Sequence, residues 1–551
     1  TGRERSRSAG EGSNTEKIAF AADGQTLATL QRHSGAFHLW DVATGKRKAN
    51  PVGHTSRPHG TSFSPDGRRM ASGGELDGTI HIWDLATSTS LFSIHRPGHW
   101  ARRVAFSRDG RTLFSTWTDD NLWVSDAATG ERQHVIKLDD PERPDTRQDA
   151  ISMHLSADGK TLVAFSYYYA KKGGISHSET LITGWDPATR KQLFGRRLPG
   201  MGSETAVSAD ARLLAAAYPS SEFDKGEGRG PMRLEDLVTG ELLLNFPDLE
   251  GQTRPLEFSS DGRLLAASNY NYKRRKKDDP TSTAASVVLW EVATASEVLS
   301  LPLAGQSRAA FSPSGRLLAM TAPKQDIVVW DLSQGRELRR FKGFDAEVSW
   351  LAFAPDSRRL VSALGDSTLL IWDVGAPAKT PEVAASSGVP EKAWNDLAGN
   401  DGPRAFRARW ALVNAPDATL ALFQKHLKPV RPADAQRLQK LVDDLESQQF
   451  PVRSAANKEL EELGDLAAGA LRQALAKNSS LELRRRAQAL LDKLRGPITR
   501  PEVLRAVRAA AVLEDIASPE SRKLLEGLAQ GAPTARLTEQ AQAALQRLGK
   551  R

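Results

Sequence analysis

The sequence predicts an all-β propeller of about eight four-stranded blades over residues 1–374. A linker at 375–390 and an all-α helical-repeat domain over 391–551 follow. Three observations predict this. A turn signature recurs through the first part of the chain, a second anchor follows it each time, and the grammar then changes to Leu and Ala at helical spacing.

The turn signature is an apolar residue, a short polar step, then Asp-Gly or a near variant. It occurs eight times, as "FAADG" at Phe20, "FSPDG" at Phe63, "FSRDG" at Phe106, "LSADG" at Leu155, "VSADA" at Val207, "FSSDG" at Phe258, "FSPSG" at Phe311 and "FAPDS" at Phe353. Asp-Gly admits the positive φ that a tight hairpin turn needs. The second anchors are "LWDV" at Trp40, "IWDL" at Trp83, "LWVSD" at Trp123, "GWDP" at Trp185, "LEDL" at Glu235, "LWEV" at Trp290, "VWDL" at Trp330 and "IWDV" at Trp372. Stretches such as "TIHIWDL" alternate apolar and polar residues, which marks strands with one buried face. Short strands recurring about every 40 residues mark propeller blades.

The paired anchors resemble the WD40 family over residues 1–374. That resemblance implies four strands per blade, a (innermost) to d, with the Asp-Gly turn joining a to b and Trp-Asp closing c. It also implies that His54, Ser72, Asp77 and Trp83 form the structural hydrogen-bond tetrad of one blade. A His–Asp pair that locks a Trp edge satisfies buried polar groups. Eight a-b-c sets are present, and the last runs into "GAPAKTPEVAASSGVP" with no strand pattern. Residues 1–14, which open on "TGRERSRSAG", read as an outer strand without its blade. Thr1–Arg7 is therefore expected to pair with Ser367–Trp372 and close the ring, unless it completes a blade further upstream. The count stands at seven or eight blades, and the chain is expected to be part of a longer bacterial multidomain protein.

The long insertions all fall in b–c or d–a connections, on one face of the propeller. Residues 138–150, 166–180, 218–231 and 268–284 carry them. All six tyrosines of the chain lie in or at the start of the b–c insertions. Tyr167, Tyr168, Tyr169, Lys171 and Lys172 stand in the first, Tyr218 in the second, and Tyr270, Tyr272, Lys273, Arg274 and Arg275 in the third. Tyrosine gives large contact area at small entropic cost, and basic side chains add charge-assisted bonds. These residues form the candidate surface for a protein partner or acidic peptide. The same residues also fit simple extensions of β-hairpins with a solvated basic tip. Nucleic acid is a weaker fit, because "KRRKKDD" carries its own acidic neutraliser.

From Val389 the apolar residues recur at three-to-four spacing. "PVRSAANKELEELG" (451–464) resembles a HEAT-type repeat and ends on a Gly cap, and Asp465 is expected to cap the next helix. About ten helices are expected, stacked in pairs as an irregular solenoid. The net charge of +8 belongs mostly to this part: from Glu391 onward 27 Lys and Arg face 20 Asp and Glu.

No cysteine is present, which excludes disulfides, thiolate zinc sites and cysteine nucleophiles and fits a reducing, cytoplasmic setting. No apolar run has the length of a membrane span. No phosphate-binding loop, nucleophile elbow or metal-ligand spacing is found, and no catalytic residue, metal or cofactor is expected. The repeated aspartates are explained by turn geometry. The expected function is a non-catalytic protein-interaction scaffold, in signalling or regulation, that binds a partner on the long-loop face. The alternatives are a propeller enzyme with a channel-lining active site, or a nucleic-acid-associated regulator.

Overall fold

In the computed structural model, the described residues are the strands Thr15–Phe20, Thr26–Gln31 and Phe37–Asp41 and most of the chain from residue 53. The exceptions beyond 53 are 55, 57, 75, 88, 120, 139–146, 173–174, 200–204, 220–228, 248–251, 272–283, 304–307, 323–325, 343–346, 365–368, 376–388, 477–479 and 550–551. The chain divides into two compact units, Thr1–Leu289 with Ser300–Pro377, and Trp290–Leu299 with Ala378–Arg551.

The propeller has seven blades, each an antiparallel sheet in chain order. Blades 1 to 6 have four strands and span 58–95, 101–137, 147–199, 205–245, 252–303 and 309–341. Blade 7 (348–373) has three strands among the described residues. The count of eight is thus corrected to seven, and hydrogen bonds show why. Arg69 of blade 1 donates through Nη2 to the carbonyl of Gly110 in the blade 2 turn, at 3.0 Å. Arg359, at the same repeat position in blade 7, donates through Nη2 to the carbonyl of Gly67 in the blade 1 turn, also at 3.0 Å. The Ser349 hydroxyl bonds the Pro58 carbonyl across the same seam. Met70 and Leu85 of blade 1 pack on Val361 of blade 7. Blade 7 therefore meets blade 1 directly and leaves no place for an eighth sheet between them. The first repeat, from Phe20 to Trp40, forms a separate three-stranded sheet, Thr15–Phe20, Thr26–Gln31 and Phe37–Asp41. The expected pairing of Thr1–Arg7 with Ser367–Trp372 falls on residues outside those described.

Two side-chain devices recur through the blades. In the a–b turn of blade 1, the Ser64 hydroxyl donates to Asp66 Oδ1, which also accepts the Arg68 amide, and the Arg69 amide donates to Ser64 Oγ. Ser107 with Asp109, Ser156 with Asp158, Ser208 with Asp210 and Ser259 with Asp261 repeat the Ser–Asp bond. After strand c, Asp84 Oδ1 accepts the amides of Ala86 and Thr87, and Asp126, Asp186 and Asp236 do the same. These Asx turns orient the start of strand d. Hydrophobic clusters fill the spaces between neighbouring sheets. For example, Ile80 and Ile82 of blade 1 pack with Phe106, Leu113 and Trp117 of blade 2.

Among its described residues the second unit holds ten α-helices: α1 Val389–Asp396, α2 Gly402–Val413, α3 Pro416–His426, α4 Ala435–Asp444, α5 Phe450–Leu463, α6 Ala468–Ala476, α7 Leu481–Arg495, α8 Pro501–Ile516, α9 Pro519–Leu528 and α10 Arg536–Leu548. They sort into two cores. One joins α1, α2 and α3 to α8, α9 and α10, and the other joins α4 to α7. Gly464 ends α5 at φ +59°. Asp465 lies inside a 3-10 turn, Gly464–Ala467, and pairs with Arg536 rather than capping the next helix. The α8 helix is buried on most of its circumference. Its Glu514 is fully buried and is held by Arg547 of α10, with Nε and Nη2 each 2.8 Å from a carboxylate oxygen.

Two outcomes are expected. Arg359→Ala removes a charged-donor bond across the blade 7–blade 1 seam and should cost about 1–3 kcal/mol in chemical denaturation. A neutral result would argue against closure at that seam. Arg547→Ala leaves a carboxylate buried without its bidentate partner and should cost about 3–5 kcal/mol. Glu514→Gln in the Arg547→Ala background should recover part of that loss.

Candidate interaction site

The candidate tyrosines lie at the b–c ends of blades 3, 4 and 5. In blade 3 the insertion is a continuation of the sheet. Strand Leu162–Lys172 pairs with Ile175–Trp185 without interruption out to Lys172 opposite Ile175. Successive strand residues face opposite sides, so Tyr167 and Tyr168 take opposite faces of the sheet. Tyr168 is 2% exposed, and its hydroxyl lies 3.4 Å from the Leu138 carbonyl at the end of blade 2. It is an anchor of the hairpin rather than a surface contact. Tyr167 is half-buried. Tyr169, Lys171 and Lys172 continue along the hairpin, Tyr218 lies in strand Leu213–Pro219, and Tyr270 lies in Leu264–Asn271 opposite Gln252. Tyr272, Lys273, Arg274 and Arg275 fall outside the described residues.

In blade 1, His54, Ser72, Asp77 and Trp83 meet in one buried chain. Trp83 Nε1 donates to Ser72 Oγ at 2.7 Å, His54 Nε2 is 2.7 Å from that oxygen, and His54 Nδ1 is 3.0 Å from Asp77 Oδ2. Burial works to raise the Asp77 pKa. The bond to His54, the His54 charge, and the hydroxyl and amide of Thr79 outweigh it and hold the carboxyl at about 2. The chain is buried and ties Ser72 of strand b to Trp83 of strand c, with His54 and Asp77 completing it. Blade 2 solves the same problem with an arginine. Arg96 pairs with Asp119 at 2.9 Å and lies 3.6 Å from the Trp123 ring centre, while Trp123 Nε1 donates to Asp119 at 3.1 Å.

A second feature lies on the inner a strands, which line the channel of a propeller. Arg103 of blade 2 places its guanidinium carbon 4.4 Å from the ring centre of Trp350 in blade 7. It reaches past blade 1 beside Gly60. A Cβ there would sit 3.6 Å from both Cδ and Nη1 of Arg103 and 3.0 Å from the Arg102 carbonyl. Arg308 of blade 6 donates through Nε to the Ser349 carbonyl at 2.8 Å, beside Trp350. Burial, then the charges of Arg308 and Arg102, together lower the Arg103 pKa to about 10. Sequence reasoning missed this group. The signal was present: Gly60, Arg103, Arg308 and Trp350 each stand three residues before the a-strand Phe at 63, 106, 311 and 353.

Two other titratable groups line the a strands. Burial lowers His154 to about 4 and raises Glu257 to about 8. Each serves a neighbouring blade: His154 bonds the backbone at Ser208, and Glu257 Oε2 accepts the Phe311 amide at 3.0 Å. Ser62 accepts the Phe106 amide from the same register position in blade 1. Among the described residues no three His, Asp or Glu side chains gather as a metal-holding set.

An acid whose folded pKa lies above its unfolded value holds its proton longer when folded. Its contribution is therefore fully present below the unfolded pKa and is lost as pH rises toward the folded one. For Glu257 that window runs from the ordinary carboxylate range up to about 8. Glu257→Gln keeps the acceptor and removes the titration. The variant should gain melting temperature relative to the parent as pH goes from 5 to 8, and parallel pH profiles would show that Glu257 titrates normally.

Comparison with known proteins agrees with this geometry. The family model described as WD domain, G-beta repeat matches residues 45–84 and 335–373. Centriole proteome protein 16 of Chlamydomonas reinhardtii is 35% identical over 150 residues, 26% of this chain and 6% of that protein. WD repeat-containing protein 1 of Gallus gallus is 27% identical over 128 residues, covering 22% of this chain and 21% of that one. Protein ROOT INITIATION DEFECTIVE 3 of Arabidopsis thaliana is 26% identical over 156 residues, 28% and 32% of the two chains. The matched stretches thus span a third or less of these relatives' lengths. Among solved structures, Kuenenia stuttgartiensis Hydrazine Synthase aligns with TM-score 0.46 and 16% identity, over 59% of this chain and 97% of that one. The chain carries a WD40-repeat propeller domain followed by a helical C-terminal region.

Proposed function

We propose that this chain is a non-catalytic scaffold that binds a protein partner on the propeller face bearing the long b–c and d–a connections. WD40 propeller architecture is generally associated with protein–protein interaction scaffolding. The observation that carries the reading is the blade 3 hairpin. Its ladder of paired backbone runs on to Lys172 and Ile175, and Tyr168 anchors it beneath. A hairpin anchored in this way presents side chains on a preorganised backbone, which lowers the ordering cost of association. The channel carboxyl and imidazole that an enzyme could use, Glu257 and His154, sit in different blades, and each bonds the backbone of the next. That assignment favours a structural role over acid–base chemistry.

The test is affinity capture with the full chain and with Tyr169→Ala/Lys171→Glu/Lys172→Glu, leaving Tyr168 in place. Partners recovered reproducibly with the parent should be lost with the triple variant, while the melting temperature stays within about 2 °C. Undiminished recovery would place the binding surface elsewhere. Turnover of an ester, phosphate or glycoside by the purified chain, abolished by Glu257→Gln, would replace the scaffold reading with an enzyme.

A further inference from the structure

The helical unit gathers cations around one ring, that of Trp394 in α1. Phe423 of α3 packs on this ring at 5.3 Å between centres, and the His426 imidazole, three residues on, lies at 5.6 Å. From α8 the guanidinium carbon of Arg505 stands 5.2 Å from the ring centre. Trp394 is 8% exposed, while Arg505 is half-buried and His426 exposed. An indole face attracts a cation and so holds the guanidinium in place. Among the described residues Arg505 makes no ion pair and no hydrogen bond, and its Nε–H has no acceptor. Glu502, three residues before it, is taken by Arg500 at 3.0 Å.

The chain that leaves α3 adds charge of the same sign. Lys425, His426, Lys428 and Arg431 are exposed, and no acidic residue follows them before Asp434. Lys428 Nζ donates to the Gln424 carbonyl at 3.0 Å, and none of Lys425, Lys428 and Arg431 forms an ion pair among the described residues. The connection itself is fixed. Val430 packs on the helix core, and its carbonyl accepts the Ala532 amide at 2.8 Å. Cations in the last turn of a helix complement its dipole, which accounts for Lys425 and His426 without a ligand. It does not account for Lys428 and Arg431, which lie beyond the helix. Nor does it account for Arg505, in the second turn of α8, where the dipole gives a cation no help.

We propose that this surface, Arg505 on Trp394 together with the connection 425–431, binds an acidic segment of a protein partner through its carboxylates. Guanidinium presents paired donors that match a carboxylate, and the lysines beside it add unpaired positive charge. Nucleic acid fits less well, because its bases need an open aromatic face on which to stack and Trp394 is buried. The site lies in the helical unit and does not rest on the propeller-face reading.

The experiment is fluorescence anisotropy of labelled hexaglutamate with the full chain at low ionic strength, where exposed charges are least screened. The parent is compared with Arg505→Gln and with Lys428→Gln/Arg431→Gln. Arg484→Gln and Arg484→Gln/Arg485→Gln remove one and two exposed cations from α7 and match those changes in net charge. The α7 variants should bind within about twofold of the parent, and the other two should each bind at least about tenfold more weakly. No binding by the parent would overturn the proposal. So would equal weakening by the α7 variants, since net charge alone would then explain it. Weakening confined to the hairpin variant Tyr169→Ala/Lys171→Glu/Lys172→Glu would also overturn it and move the acidic segment to the propeller. Should Arg505→Gln fail to fold, Lys428→Gln/Arg431→Gln decides, because both residues are exposed. An oligothymidylate that binds more tightly than the peptide and is weakened by Arg505→Gln would overturn the choice of a protein partner.

Discussion

A ring of sheets is held by whatever joins its last member to its first. Here that junction is one hydrogen bond used twice. Arg69 reaches the turn glycine of blade 2, and Arg359 reaches the turn glycine of blade 1, both at 3.0 Å. The bond between blades 1 and 2 is thus repeated at the seam between blades 7 and 1, so the seam is chemically an ordinary inter-blade contact. Closure removes the exposed sheet edges that an open array would present. It also sets the channel, because side chains from blades 2, 6 and 7 meet only when blade 1 stands between 7 and 2.

The turns carry the same logic at smaller scale. A serine hydroxyl and an aspartate carboxylate satisfy the backbone at the a–b turns of blades 1 to 5, and a second aspartate does so after strand c in blades 1 to 4. Turn side chains bonded to nearby amides fix the direction in which the next strand leaves. The regular aspartates are therefore structural. Their hydrogen bonds hold Asp66 and Asp109 below the ordinary carboxylate range, led by the serine hydroxyl in both. Such groups stay ionised at neutral pH and are poor general acids.

Much of this was legible in the letters. The tetrad could be read because its members lie within one repeat, at the positions that the WD40 resemblance implies for His54, Ser72, Asp77 and Trp83. The helical part was legible from its period, with Gly464 at the predicted cap. The blade count was not. The first repeat has the same turn and Trp-Asp anchors as the others, and nothing local distinguishes a sheet in the ring from one outside it. Only the long-range bonds at Ser349 and Arg359 decide that. The sorting of α1–α3 with α8–α10 was hidden for the same reason, since the apolar spacing of a helix does not name its partner. Arg103, Arg308 and Trp350 were hidden because the repeat is defined by the residues its copies share, whereas they fill one repeat position with different side chains.

Gly60 shows what such a difference can do. Seven near-copies of one unit, arranged in a circle, have nothing that distinguishes one direction from another. Gly60 stands on the inner wall of blade 1, and the Arg103 side chain of blade 2 passes beside it to reach Trp350 of blade 7. The bore of the propeller is thereby no longer seven-fold, because one position of the repeat holds a different residue from blade to blade.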